Sequence, residues 1–400
     1  MRRIVPLLLL ALSACALDRP EGLSCPSLPV DAPAPVLSSQ SEGGDVLEAT
    51  TNSMIAAIEA EAPAARAIPT PQVRRAPAAP PITLRIVTLS AGGQYGAFGA
   101  GVLRGWSEAP GGRPTFDVVT GVSAGAILAP IAFAGPEFDG ALDFYRGLDA
   151  DRVSRGRFLP ALLRAPSLRD ASPLRAFLAR ALSPALVSAI AARHAQGDRL
   201  LVAATNLDTT AGEVFDLGAG TADGAPCLAA AMQASAAIPG VLPPVAIDGA
   251  LYADGGLREQ VFFQAIDTAR ARIARETGRE VRVEAFLVVN GALVPPQAPV
   301  EDRLLSYIGR AVETLADEVL RDSILDAVRF AEGRPGWTLR GLAAQDVDLS
   351  PCLAPGEGTP TGTFDPCVTR VLFDHGRGIG RGLPNGFLSA ADLRRLAAEL

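Results

Sequence analysis

The apolar positions of this chain come in short β-branched runs that alternate with stretches of helical spacing. Leu84–Leu89 is a run of the first kind and predicts a strand. After a cluster of glycines, Tyr95, Phe98, Val102, Leu103 and Trp106 fall on one face of a helix. Phe116–Thr120 predicts a second strand, and the following "AGAILAPIAFA" a helix that Pro130 should kink or shorten. "RLLVAATNL" and "GEVFDLG" read as strands joined through "DTTA", and "CLAAAMQASAA" reads as a helix. "PVAIDGALYADGG" reads as strand and turn, and "VRVEAFLVVN" as a core strand. Leu304, Ile308, Val312, Leu315, Val319 and Ile324 mark a long amphipathic helix. Strands alternating with helices predict an α/β fold, with a mostly parallel central sheet flanked by helices.

Residues 16–80 lack this pattern. "DAPAPVLSSQSEGG" and "PTPQVRRAPAAPP" cannot bury a core and read as an extended tether, although Val46, Leu47, Met54, Ile55 and Ile58 between them could line one helix face. Upstream, "MRRIVPLLLLALSAC" sets two arginines before an apolar run, Ile4–Leu12, that is too short to span a bilayer. It reads as the core of a signal peptide. Leu12-Ser13-Ala14-Cys15 is similar to the bacterial lipoprotein signal, in which the cysteine becomes the lipidated first residue. An ordinary signal peptide cut elsewhere is the alternative. Both predict export, and the first predicts a membrane-anchored lipoprotein on the periplasmic face, the outer membrane included. The expected organisation is a signal peptide at 1–14, a lipidated Pro/Ala-rich tether at 15–80, the main folded domain at 81–295, and a C-terminal extension of helices and loops at 296–400 packed on it.

The 400 residues carry a formal net charge of −7 and no dense basic block, so no nucleic-acid partner is expected. With Cys15 set aside, Cys25, Cys227, Cys352 and Cys367 allow two disulfides in an exported protein. Cys352–Cys367 is the expected pair. It closes a Gly/Pro/Thr-rich loop with little else to hold it, and closure contributes on the order of 3 kcal/mol. Cys227 opens an apolar helical run and reads as a buried thiol. No CxxC is present for a zinc site, and neither metal nor cofactor is expected.

Three stretches carry chemistry. Gly121-Val122-Ser123-Ala124-Gly125 is a G-x-S-x-G between a predicted strand and a predicted helix. A sharp turn there exposes the serine oxygen, with Gly121 and Gly125 permitting the close packing it needs. About thirty residues earlier, "LSAGGQYGAFGAGVL" can present backbone N–H groups as an oxyanion hole. A phosphate loop is the rival, but the Gly-Lys-Ser/Thr ending is missing. Finally, Asp254 follows a strand and precedes Gly255-Gly256, so its carboxylate can sit at a tight turn at the sheet edge.

In this order, the three stretches resemble those of the patatin-like phospholipase family. "LLVAATNLDTTAGEVFDLG" and "AMQASAAIPGVLPPV" are similar to two further segments of that family, and the resemblance covers roughly residues 84–290. It implies a serine acyl-ester hydrolase in which Ser123 is the nucleophile and Asp254 its sole partner. Ala91, Gly92 and Gly93 would then form the oxyanion loop, and a membrane lipid or another acyl ester would be the substrate. Where the family has G-G-G-x-[RK]-G, this chain has Ala91 for the first glycine and Tyr95 for the basic residue. An α/β-hydrolase triad of Ser123, Asp254 and His375 has the same order, with His375 in a glycine-rich turn. A catalytically silent lipid-binding lipoprotein is the alternative of a different class. His194 reads as a solvated residue near a helix end. The stretch 155–182, with Phe158, Leu159, Leu162 and Leu163 among arginines, reads as either a lid or a packed helix pair. The sequence does not indicate an oligomeric state.

Overall fold

The computed structural model describes residues 20, 22–28, 80–157, 166–263, 266–293, 300, 302, 304–353 and 364–398. In chain order the strands are β1 Ile82–Leu89, β2 Val118–Val122, β3 Arg155–Gly156, β4 Arg169–Asp170, β5 Arg199–Asn206 and β6 Gly212–Asp216. They continue with β7 Val245–Ile247, β8 Ala250–Asp254, β9 Val281–Val289, β10 Trp337–Ala343 and β11 Leu388–Ser389. The main helices are α1 Gly96–Glu108, α2 Ala124–Ala134, α3 Ser172–Ala181, α4 Pro184–Ala195, α5 Ala225–Ser235, α6 Ile266–Thr277, α7 Leu304–Glu332, α8 Pro366–Arg381 and α9 Ala390–Ala398.

The main sheet runs β11-β10-β9-β1-β2-β5-β8-β7, with β6 also paired to β5. Its centre, from β10 through β9, β1 and β2 to β5, is parallel. Strands β6, β7, β8 and β11 pair antiparallel at the flanks. Every residue of β2 is buried, as a strand covered on both faces requires. One core lies where α1, α2, α5 and α8 pack, around Phe98, Phe133, Met232 and Phe373. A second lies where α6, α7 and α9 pack, around Ile273, Ile324, Val328 and Leu393, and a small third joins Ala91, Val122, Ala203, Val214 and Phe262. The fold is therefore the expected α/β arrangement. Helix α2 runs through Pro130 to Ala134 and is not cut short by it.

Two expectations need correction. The C-terminal extension is not only helices and loops: β10 pairs along β9 from Trp337↔Val283 to Ala343↔Val289, and β11 caps β10. These strands occupy a sheet edge that would otherwise leave backbone groups unpaired. Part of the expected tether is docked. Leu23 bridges Ile247, Leu28 is fully buried, and Cys25 is disulfide-bonded to Cys227, so Cys227 is not a thiol. A covalent link, a buried leucine and hydrogen bonds to Asp223, Ala246 and Asp248 hold a segment whose composition alone predicts none of this. Residues 29–79, including Val46 and Met54, lie outside the described residues, as do Cys15 and the signal-like segment before it.

Candidate active site

Strand register brings the three motifs together. Strands β1 and β2 are parallel with Leu89 opposite Gly121, so the glycine turn after β1 lies beside the turn after β2. Strand β2 covers one edge of β5 as far as the Val122↔Ala203 pair. Strand β8, running the opposite way, takes over that edge at Asp254↔Ala204, while β6 holds the other edge at Ala204↔Glu213. Ser123 is the first residue past β2 and Asp254 the last of β8, so the two strand ends face each other. The Ser123 hydroxyl donates directly to Asp254 Oδ2 at 2.6 Å.

Ser123 sits at φ 53° and ψ −118°, a left-handed conformation that a non-glycine residue holds only when its surroundings enforce it. Its N–H donates to Ser235 Oγ at 2.9 Å, and the Ser235 hydroxyl donates to the Ala203 carbonyl at 2.6 Å. Gly125 permits the turn for a packing reason. A Cβ there would lie 2.1 Å from the Leu89 carbonyl oxygen, so α2 starts in contact with the end of β1. That places the N-terminal amides of α2 beside the nucleophile.

Asp254 is fixed as firmly. Its N–H donates to the Ala237 carbonyl at 2.9 Å, and its own carbonyl accepts from the Thr205 hydroxyl at 2.9 Å. Oδ1 accepts the Gly256 N–H at 2.8 Å, which leaves Oδ2 for Ser123. Burial pushes the Asp254 carboxyl up to about 6, against the pull of the Ser123 hydroxyl and the Gly256 amide. Ser123 is 4% exposed and Asp254 7%, so the pair works in a largely water-excluded site. An aspartate with a pKa near 6 is a better base near neutrality than an ordinary one.

The loop at 90–93 is held by a residue that the sequence did not single out. Asn290, just past β9 and 1% exposed, donates its backbone N–H to Ser90 Oγ at 2.8 Å and its Nδ2 to the Ser90 carbonyl at 2.7 Å. The Ser90 hydroxyl donates in turn to the Ala91 carbonyl at 2.7 Å. Gly92 is pressed so closely on Asn290 that a Cβ would lie 1.6 Å from its carbonyl oxygen. Gly93, at φ 54°, opens the short turn Gly93–Tyr95 that leads into α1. Ala91 faces the aspartate turn: a Cβ on Gly256 would sit 3.4 Å from the Ala91 methyl. Gly121 and Gly255 make similarly close contacts, with the Gly125 and Ala203 carbonyls respectively. Tyr95 is half-buried, and burial together with the Asp317 carboxylate raises its pKa, so this position carries a neutral phenol and no positive charge.

Neither histidine joins this pair. His375 lies within α8, not in a turn, with its ring 6.2 Å from that of Phe98. The helix forms because Asp365 caps it and its apolar positions line one face against α1, which outweighs its glycines. His194 is half-buried, not solvated. Its Nδ1 lies 3.6 Å from Asp216, and burial lowers its pKa. Cys352 and Cys367 are disulfide-bonded. Within 155–182, β3 and β4 pair antiparallel and α3 follows, while Phe158, Leu159, Leu162 and Leu163 lie outside the described residues. Among the described residues, no group of three or more His, Cys, Asp or Glu could hold a metal ion, and no single helix is long and apolar enough to cross a membrane.

Of the residues that sequence reasoning passed over, Ser235 had a signal, since it lies in the quoted "AMQASAAIPGVLPPV". Thr205 had a signal of the same kind, since it lies in "LLVAATNLDTTAGEVFDLG", whereas Asn290 had none beyond its place at a strand end. Comparison with known proteins matches residues 87–266 to the family model described as patatin-like phospholipase. Among solved structures, VipD from Legionella pneumophila aligns over 80% of this chain and 68% of its own, at 14% identity and a TM-score of 0.31. No curated protein sequence matches.

Proposed function

From the premise that residues 87–266 belong to the patatin-like phospholipase family, and so form a lipid acyl hydrolase domain, we propose that Ser123 and Asp254 act as a two-residue catalytic centre. The observation that carries the reading is the direct 2.6 Å contact from the Ser123 hydroxyl to the Asp254 carboxylate. Asp254 accepts the hydroxyl proton as Ser123 Oγ attacks the ester carbonyl, and backbone amides of the Gly92–Gly93 turn receive the developing oxyanion. The tetrahedral species collapses, the C–O bond to the alcohol breaks, and the leaving oxygen takes the proton back from Asp254. Water then repeats the sequence on the acyl-enzyme, with Asp254 again as base, releasing the fatty acid and restoring Ser123.

The substrates proposed are phospholipids, lysophospholipids or simpler acyl esters. Hydrolysis of a panel of these by wild type and by Ser123→Ala tests the reading, which requires that loss of the hydroxyl abolish turnover on every substrate cleaved. His375→Asn should retain near-normal activity. A collapse comparable to that of Ser123→Ala would replace the pair with a triad. Labelling of Ser123 by a fluorophosphonate is expected, and its absence in folded protein would favour a lipid-binding module. The two disulfides support an oxidising compartment, and the N-terminal segment supports export with anchoring through Cys15. Palmitate labelling of cells expressing the chain, lost in Cys15→Ala, checks the anchor.

A further inference from the structure

We propose that Gln94 is a positioning residue through which the C-terminal extension holds the oxyanion loop in its working geometry. The inference rests on the reading of Ser123 and the Gly92–Gly93 turn given above. Gln94 directly follows Gly93, and its Oε1 accepts the backbone N–H groups of Phe364 at 2.9 Å and Asp365 at 3.4 Å. Through this side chain the loop reaches the start of α8.

That start is itself immobilised. Asp365 caps α8, its Oδ1 accepting the N–H groups of Cys367 at 2.7 Å and Val368 at 3.1 Å. Cys367 is covalently tied to Cys352, and the Thr369 hydroxyl donates to the Leu148 carbonyl at 3.0 Å. Along its length α8 meets α1 backbone to backbone: Cβ atoms on Gly101 and Gly376 would come within 2.1 Å and 2.2 Å of carbonyl oxygens across the seam. Arg377 and Arg381 both bond Glu108 at the far end of α1. The loop from Ala91 to Tyr95 is thus pinned from one side by Asn290 and from the other by Gln94.

The amides of the turn act only if they point at the developing oxyanion, and small misplacements of such donors cost rate more than binding. The effect should therefore appear in kcat with KM nearly constant. Gln94→Leu removes the acceptor and keeps the bulk, whereas Gln94→Glu keeps an acceptor for the same two N–H groups. With a soluble short-chain ester, and rates divided by fluorophosphonate-titrated sites, Gln94→Leu should lower kcat about tenfold and shift KM less than about twofold. Gln94→Glu should recover most of the loss. The Cys352→Ser/Cys367→Ser pair, with Cys25–Cys227 intact, should lower kcat in the same way. Adding Gln94→Leu to it should cost less than the product of the two effects, since both act through one contact. Amide hydrogen exchange at residues 91–95 should rise in Gln94→Leu with the midpoint of thermal unfolding nearly unchanged. Unchanged kcat per titrated site in Gln94→Leu, or unchanged exchange at 91–95, overturns the proposal. Normal turnover by Ser123→Ala would instead overturn the catalytic reading on which it rests.

Discussion

Replacing Asp254 by Asn should eliminate activity and at the same time make the protein more stable at alkaline pH. In the fold the carboxyl titrates at about 6, against 3.8 for an ordinary aspartate, because burial disfavours its charge. The difference is about two pKa units, or about 3 kcal/mol at the conventional conversion. The sign follows from proton binding. Between these two pH values the folded chain holds a proton that the unfolded chain has released. Stability is therefore fully present below the unfolded value and is lost as pH rises through about 6. In Asp254→Asn the amide that replaces the carboxyl carries no charge to bury. Its oxygen can accept the Gly256 N–H while its NH₂ group faces Ser123, so the fold keeps both contacts. Other buried carboxyls, Asp117 at about 6 and Glu259 at about 9, also bend the stability curve, so the quantity to measure is the wild-type–mutant difference. Urea unfolding at pH 4 and pH 8 should show Asp254→Asn gaining roughly 1–3 kcal/mol on wild type between the two. Activity in wild type should rise tenfold per pH unit below the midpoint and level off above about 6, leaving about a tenth at pH 5. An acid limb centred near 4, or no pH dependence in the stability difference, would refute the argument from burial.

Other parts of the molecule yield expectations of the same kind. Ser235→Ala strips the Ser123 N–H and the Ala203 carbonyl of their buried partner. Calorimetry should show a loss of about 2–3 kcal/mol, and kcat should fall as the strained Ser123 backbone relaxes. Arg113 and Asp139 form an ion pair at 2.6 Å with both side chains 1% exposed. Asp139→Ala leaves the guanidinium charge buried and should cost about 3–5 kcal/mol in denaturant unfolding, a loss that Arg113→Met/Asp139→Leu should largely repair. Cys25 and Cys227 are 202 residues apart, so Cys25→Ser/Cys227→Ser should cost up to about 5 kcal/mol on the chain-entropy estimate, with little change in kcat at temperatures where the protein stays folded.

The parallel centre of the sheet is legible in the sequence because β1, β2, β5 and β9 are apolar runs long enough to exclude other readings. The Ser123 and Asp254 turns are legible because strained or close-packed turns admit few residue types. What escapes are features made by packing between distant segments. Helix α8 reads as a turn from "DHGRGIGRG", since glycines spaced along a helix look like a loop until a partner helix is seen against them. Strand β10 escapes because the alternation in "WTLRGLA" runs only from Trp337 to Arg340 before the buried run Gly341–Ala343, and only the free edge of β9 recruits it. The docking of 22–28 depends on one disulfide, one buried leucine and hydrogen bonds to Asp223, Ala246 and Asp248, which no local pattern records. Asn290 and Gln94 are invisible for the same reason. Each is a single polar residue whose partner lies about 200 or more positions away.

The most direct test of the catalytic centre is intact-mass spectrometry of the protein quenched in acid during turnover of a short-chain acyl ester, with peptide mapping of any adduct. An acyl group on Ser123 in wild type, absent in both Ser123→Ala and Asp254→Asn, is the predicted result. Turnover with acylation at another residue, or full acylation of Ser123 at normal rate in Asp254→Asn, would contradict it.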